Sequence, residues 1–299
     1  MNLSDQLRGT GVAVVTPFKK NMEIDYIALE RVINYIIDNG AEYIVTLGTT
    51  GETPTLSKEE KTELILFTYQ VTDDRVPVVV GIGGNNTLSL IKDLETFPLQ
   101  KAVAVLSASP YYNKPSQEGI YQHYKALAEV SPHPIILYNV PGRTGRNISA
   151  ATTLRLAHDF SNIAGIKEAS GDMVQCMQIL KDKPAGFFVV SGDDALAMPQ
   201  IACGMEGVIS VAANCLPKQF SDMVRSSLKG DFATAKQLND QMLEAYDLLF
   251  TENNPAGVKA FLTELGLIEN NLRLPVVSLS AGLHQSVKNY LQRNLMSVG

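Results

Sequence analysis

The chain has 299 residues, of which 45% are hydrophobic and 19% charged, and it carries a formal net charge of -6. That composition belongs to a globular protein long enough for one large domain and a smaller annex. The acidic balance speaks against nucleic acid or an anionic membrane as the main partner, and no stretch approaches the ~18 apolar residues of a membrane span.

Apolar, β-branched runs recur at Val12–Val15, Tyr43–Leu47, Val76–Val80, Ala102–Leu106, Ile135–Tyr138, Ile163–Ile166, Phe187–Val190 and Gly207–Val211. Unbroken apolar runs of this length are expected of strands covered on both faces, as in a parallel sheet. Helical patterns lie between them. After Asp25, an expected N-cap, Leu29, Val32, Ile33, Ile36 and Ile37 share one face, and Gly40 is an expected stop. Ser57 and Glu60 form a capping-box pattern ahead of Leu64 and Ile65. Further helices are expected over 87–97, 117–129, 150–159, 173–181, 195–203 and 218–228. Strand and helix thus alternate about eight times. This predicts an α/β chain folded as a (β/α)8 TIM barrel over residues 1–230, with an open doubly wound sheet as the alternative. No GxGxxG follows a strand, so no dinucleotide cofactor is expected. Beyond residue 230 only helical spacing remains, at 232–250, 255–265 and 280–294, which predicts a C-terminal α-helical domain over 231–299.

Cys176, Cys203 and Cys215 are odd in number and lack metal-site spacing, which points to a reducing cytoplasm rather than a secreted disulfide framework. Met1–Asp5 carries no basic-then-apolar leader pattern. The four histidines form no HxxH or HExxH arrangement, so no metal site is expected.

Every notable motif follows a strand, on the face where barrel enzymes keep their chemistry. Gly48-Thr49-Thr50-Gly51-Glu52 offers backbone N–H groups and two hydroxyls to a small carboxylate, or is a turn shaped for packing. The adjacent Tyr111 and Tyr112 fit either a phenolic proton relay or an interface patch. Tyr138, at the end of its strand, is placed to exchange protons with a neighbouring amine and Arg143 offers a fork for a carboxylate, or the two are a buried tyrosine and a surface arginine. Lys167 leaves an apolar strand and leads into Gly171-Asp172. An amine held there loses hydration of its charged form, which favours the free base that a Schiff-base nucleophile needs, although such a lysine can also snorkel to water. Lys101 precedes its strand and is expected on the opposite face. Gly192 follows the seventh strand within Ser191-Gly192-Asp193-Asp194, and Ile209-Ser210 lie in the eighth.

The motifs GTTGE from Gly48, SPYYNKPSQEG from Ser109, YNVPGRTG from Tyr138, GIKEASGD from Gly165 and SGDD from Ser191 together resemble the class I pyruvate-dependent aldolase superfamily. That is the group of the dihydrodipicolinate synthases and N-acetylneuraminate lyases. The resemblance spans nearly the whole chain. It implies a barrel with a C-terminal helical domain, assembled as a homotetramer of tight dimers. It implies Lys167 as the Schiff-base lysine and Tyr138, Thr50 and Tyr112 as a proton relay, with Tyr112 completing the neighbouring subunit's site. It further implies that Thr49 and Thr50 contact the pyruvate carboxylate, that Gly192 and Ile209 lend backbone groups near the imine, and that Arg143 holds the second substrate's carboxylate. The arginine resembles the synthase branch, which condenses pyruvate with L-aspartate 4-semialdehyde in diaminopimelate and lysine biosynthesis. Another aldolase of the superfamily, acting on a sialic acid or a 2-keto-3-deoxy sugar acid, is the alternative. A barrel that only binds a carboxylate would not need Lys167 and both tyrosines. No cofactor is implied, because the imine is itself the electron sink. In lysine-inhibited relatives an interface pocket uses an Asn, a Tyr, an acid and often a His. Asn85 and Tyr111 match, whereas Ser89 and Lys58 stand at the other two positions, so weak or absent lysine inhibition is expected.

Overall fold

The computed structural model describes residues 3–294; Met1 and Asn2 of the leader reading, and residues 295–299 of the expected C-terminal domain, lie outside them. In chain order the elements are α1 (Leu3–Leu7), β1 (Gly9–Ala13), α2 (Tyr26–Asp38), β2 (Tyr43–Thr46), α3 (Lys58–Thr72), β3 (Val78–Gly81), α4 (Thr87–Thr96) and β4 (Ala102–Ala108). They continue with α5 (Gln117–Val130), β5 (Ile135–Asn139), α6 (Pro141–Thr144), α7 (Ala150–Asp159), β6 (Ile163–Glu168), α8 (Met173–Asp182), β7 (Phe188–Ser191), α9 (Ala197–Ala202) and β8 (Gly207–Ser210). Four helices follow: α10 (Pro217–Leu228), α11 (Phe232–Phe250), α12 (Ala256–Glu264) and α13 (Ala281–Asn294). The eight strands are all parallel and close in sequence order, β1 pairing with β8.

The apolar runs divide between two cores because successive side chains of a strand face opposite ways. Tyr43, Val45, Val79, Ile136, Val190 and Ile209 fill the barrel interior, while Ile44, Val78, Val80, Ile135 and Leu137 meet the surrounding helices. Local signals set the helix ends. The Asp25 carboxylate accepts from the Ala28 N–H, and the Ser57–Glu60 capping box closes in both directions. Asn39 ends α2, and Gly40 follows with φ 100°.

Several boundaries differ from the sequence reading. Strand β1 starts at Gly9, not Val12, because its first rungs pair Gly9 and Thr10 with Gly207 and Val208 through backbone alone. Its Gly11 makes room for a ring from the next strand, since a Cβ there would lie 2.1 Å from Cε2 of Tyr43. Strand β6 runs on through Lys167 and Glu168, so the lysine belongs to the strand. The short helices α1 and α6 were not legible as periodic segments. Lys101 is exposed and pairs with Asp74 at 3.2 Å, just ahead of β3 and β4 at the N-terminal end of the barrel.

Among the described residues, the elements after α10 are helices only. Helix α11 packs along α10 and α13. Among the described residues no helix is long and apolar enough to cross a membrane.

Candidate active site

A cavity of about 510 Å³ opens at the C-terminal ends of the strands. Its walls include Gly48, Thr49, Thr50, Tyr138, Arg143, Lys167 and Gly192, all residues singled out from sequence. Lys167 and Tyr138 are direct neighbours across the β5–β6 ladder. The lysine is almost wholly buried, and its Nζ lies 4.3 Å from the centroid of the Tyr138 ring.

Strand alternation explains why two charged residues stand side by side in β6. Lys167 points into the barrel mouth, and Glu168 points outward into a polar network. The Glu168 carboxylate accepts from Asn139 Nδ2 at 3.0 Å on both oxygens, from the Ser170 N–H at 2.7 Å and from Gln175 Nε2 at 2.9 Å. Asn139 comes from β5, so this carboxylate joins the strands of Tyr138 and Lys167. A buried carboxylate with all its partners present fixes geometry where a half-paired one would cost stability.

Gly192 lies beneath the lysine stem. A Cβ there would meet Lys167 Cε at 2.9 Å and Ala169 Cβ at 2.6 Å. The turn after β2 is fixed from several sides. Thr50 Oγ1 accepts from Asn254 Nδ2 at 3.0 Å, the Gly51 carbonyl accepts from Thr16 Oγ1 at 2.7 Å, and Glu52 adopts a left-handed backbone at φ 53°. Glu52 is buried and ion-paired with the equally buried Lys259 of α12, and it also accepts the Arg273 N–H at 3.0 Å. Burial holds the Lys259 ammonium down, to about 8, even with Glu52 opposite.

Phe250, Asn253 and Asn254 of the C-terminal region also line the cavity, as do Ala13, Asp193 and Val211. Arg143 Nη2 donates to Asn253 Oδ1 at 3.1 Å. These asparagines were missed from sequence. The one hint was a polar, Pro-terminated break, Glu252-Asn253-Asn254-Pro255, between two helical patterns. Ile209 is buried in the barrel interior and is not among the cavity-lining residues; Val211, two residues on, is. Tyr112 lies apart from the cavity of its own chain. It is 88% exposed and holds φ at 72°, a left-handed backbone that costs a tyrosine energy. A second space of about 460 Å³ adjoins the first along Gly48, Thr49, Tyr138 and Arg143 and is bounded by Pro54, Lys61 and Tyr111.

Residues 6–294 match the family model described as the dihydrodipicolinate synthetase family. A curated 4-hydroxy-tetrahydrodipicolinate synthase of Flavobacterium psychrophilum is 52% identical over 275 residues, covering 92% of this chain and 94% of that protein. A chloride-inhibited dihydrodipicolinate synthase of Acinetobacter baumannii, solved with pyruvate, superimposes with a TM-score of 0.93 at 41% identity over 96% of this chain and 98% of that one. A solved monomeric dihydrodipicolinate synthase variant gives 0.95 at 38% identity over 98% of both chains.

Proposed function

The chain belongs to the dihydrodipicolinate synthetase family, and from that premise we infer that it catalyses the 4-hydroxy-tetrahydrodipicolinate synthase reaction through an imine on Lys167. The observation that carries this reading is a buried amine held against a buried tyrosine ring, in a cavity that also holds a guanidinium and two threonine hydroxyls.

In this reading Lys167 Nζ adds to the keto carbon of pyruvate and water leaves. The imine withdraws electrons, a methyl proton departs, and an enamine remains. The enamine carbon attacks the aldehyde of L-aspartate 4-semialdehyde, forming the new C–C bond. The amine of that substrate then displaces Lys167, closing the ring and freeing the lysine. Tyr138, beside Nζ, exchanges protons with the nitrogen and with the leaving oxygen. Thr50 accepts from Asn254 and so keeps its own hydroxyl proton to pass on; Thr49 offers a second hydroxyl on the same wall. Both also serve the pyruvate carboxylate, while Gly192 and Ile209 lend backbone groups near the imine. Tyr112, exposed and apart from the cavity of its own chain, would complete the relay in a second copy within a homotetramer. The three free cysteines suit a cytoplasmic setting.

Arg143 is assigned to the carboxylate of the second substrate. The test is turnover of pyruvate with L-aspartate 4-semialdehyde, set against release of pyruvate from N-acetylneuraminate or a 2-keto-3-deoxy sugar acid. Condensation is expected and cleavage is not. Arg143→Ala should raise KM for the semialdehyde about 10- to 100-fold, the range for a lost charge-assisted hydrogen bond, while pyruvate still forms its adduct. Faster cleavage of a sugar acid than condensation would reverse the assignment.

Lysine inhibition is expected to be weak or absent. Lys58 is paired with Asp93 at 3.4 Å, and Ser89 brings no carboxylate to meet an effector's ammonium. A lysine titration that gives strong inhibition at sub-millimolar concentration would contradict this.

A further inference from the structure

The seam between β7 and β8 is the thinnest in the barrel. One register pair, Ser191 with Val208, joins these strands, whereas β5 and β6 share five. Yet each side of this seam carries part of the cavity wall, Gly192 under the Lys167 stem after β7 and Val211 after β8. A side chain bridges the gap. Asp193 turns back on its own loop, its Oδ1 accepting from the N–H groups of Ala195 and Leu196. Asp194 instead reaches across. Its carboxylate accepts from the Val211 N–H at 3.1 Å and the Ala212 N–H at 2.8 Å, and the Ser210 hydroxyl faces it.

We propose that Asp194 is a positioning residue for the imine site, whose carboxylate sets the distance between Gly192 and Val211 and thereby the pyruvate subsite. It touches neither lysine nor substrate. Its action is on the backbone that both rest against. The inference rests on the imine reading given above.

The charge state of Asp194 supplies the handle for a test. The side chain is wholly buried, and that burial pushes its carboxyl up to about 6 against the pull of its three donors. The groups facing it are Asp193 of the same loop, Cys215 beyond β8 and Tyr246 of α11, none of which is basic. Below pH 6 the group is protonated and accepts less strongly from the two N–H groups; above it, the full carboxylate holds the seam. Asp194→Asn has the same shape and no charge at any pH; its one carbonyl oxygen, in the place of Oδ2, meets both N–H groups only as a neutral acceptor. The variant is therefore a permanent copy of the acid form.

The experiment measures pyruvate affinity by saturation of the cyanoborohydride-trapped adduct, for parent and Asp194→Asn, from pH 5 to pH 8. The expected ratio of variant to parent dissociation constants is about 10 at pH 8, the loss of one charge-assisted hydrogen bond, falling toward 1 at pH 5. KM for pyruvate should rise more than kcat falls. A role confined to stability would give no pH-dependent ratio, and a ratio constant across this range overturns the proposal. Should Asp194→Asn not fold, Ser210→Ala replaces it. Loss of that hydroxyl raises the midpoint of the parent's acid limb, and an unmoved midpoint overturns the proposal equally. A parent that traps no pyruvate at any pH fails the imine reading itself, which separates the two failures.

Discussion

Lys167→Ala is expected to lose the reducible pyruvate adduct completely and to lower kcat by at least ~10³-fold. Removing a nucleophile leaves only the contribution of binding and of the surrounding polar groups. The measurement is intact-protein mass after borohydride reduction with pyruvate, paired with turnover. The parent should gain one pyruvate unit and the variant none. The surroundings of the lysine make the comparison clean. Its stem is held between the Tyr138 ring and Gly192, and the strand is fixed from its outer face by Glu168. Truncation should therefore leave the fold intact, which thermal melting of the variant would verify. An adduct that persists in Lys167→Ala would move the chemistry to another amine; no adduct in either protein would end the aldolase mechanism.

Lys259→Met is expected to destabilise the chain by about 3–5 kcal/mol, the usual result of removing one partner from a buried pair. Glu52 would be left buried with the Arg273 N–H but without a cation. The double variant Glu52→Gln/Lys259→Met should recover much of that loss, because it removes the uncompensated charge along with the pair. Desolvation acts on both members of the pair and opposes their attraction, so removing the pair whole costs less than removing one member. Urea unfolding of the parent and both variants checks the prediction. A single variant within ~0.5 kcal/mol of the parent, as at an ordinary surface site, would refute it. Activity should fall as well, since Glu52 ends the turn that carries Thr49 and Thr50.

Much of the architecture was legible because the barrel's physics is local. Most strands are apolar runs, and helices such as α2, α5 and α11 are 3.6-residue patterns behind a capping side chain, so Phe232–Phe250 could be read to the residue. Strand β1 was misplaced because its opening rungs rest on glycines whose meaning lies elsewhere in the chain. Gly11 is small for the sake of Tyr43, and no local pattern carries that information. The same distinction runs through the site. Lys167 and Tyr138 stand at the ends of strands, Thr49, Thr50, Arg143 and Gly192 follow them, and the barrel's polarity alone predicts that they converge. Asn253 and Asn254 sit in a helix–helix break and reach the cavity only through the docking of α11 and α12, which no periodicity announces. Glu52 and Lys259 were equally opaque, since each reads as a surface charge until the fold buries it.

The clamp on the Gly48–Glu52 turn also dictates when in its own synthesis the protein can become an enzyme. The turn is among the first parts of the site to be made, yet it is held by Asn254, Lys259 and Arg273, the last of them 221 residues after Glu52. At ~5–20 residues per second a ribosome needs roughly 10 to 45 s to cover that interval. For most of it β1 still awaits β8, and to its end the turn lacks its full set of fastenings, so the nascent barrel is exposed longest at the edges that matter most for the chemistry. The last fastening arrives near the end of translation, and a chain cut short before Arg273 would carry every strand and the lysine without a finished site.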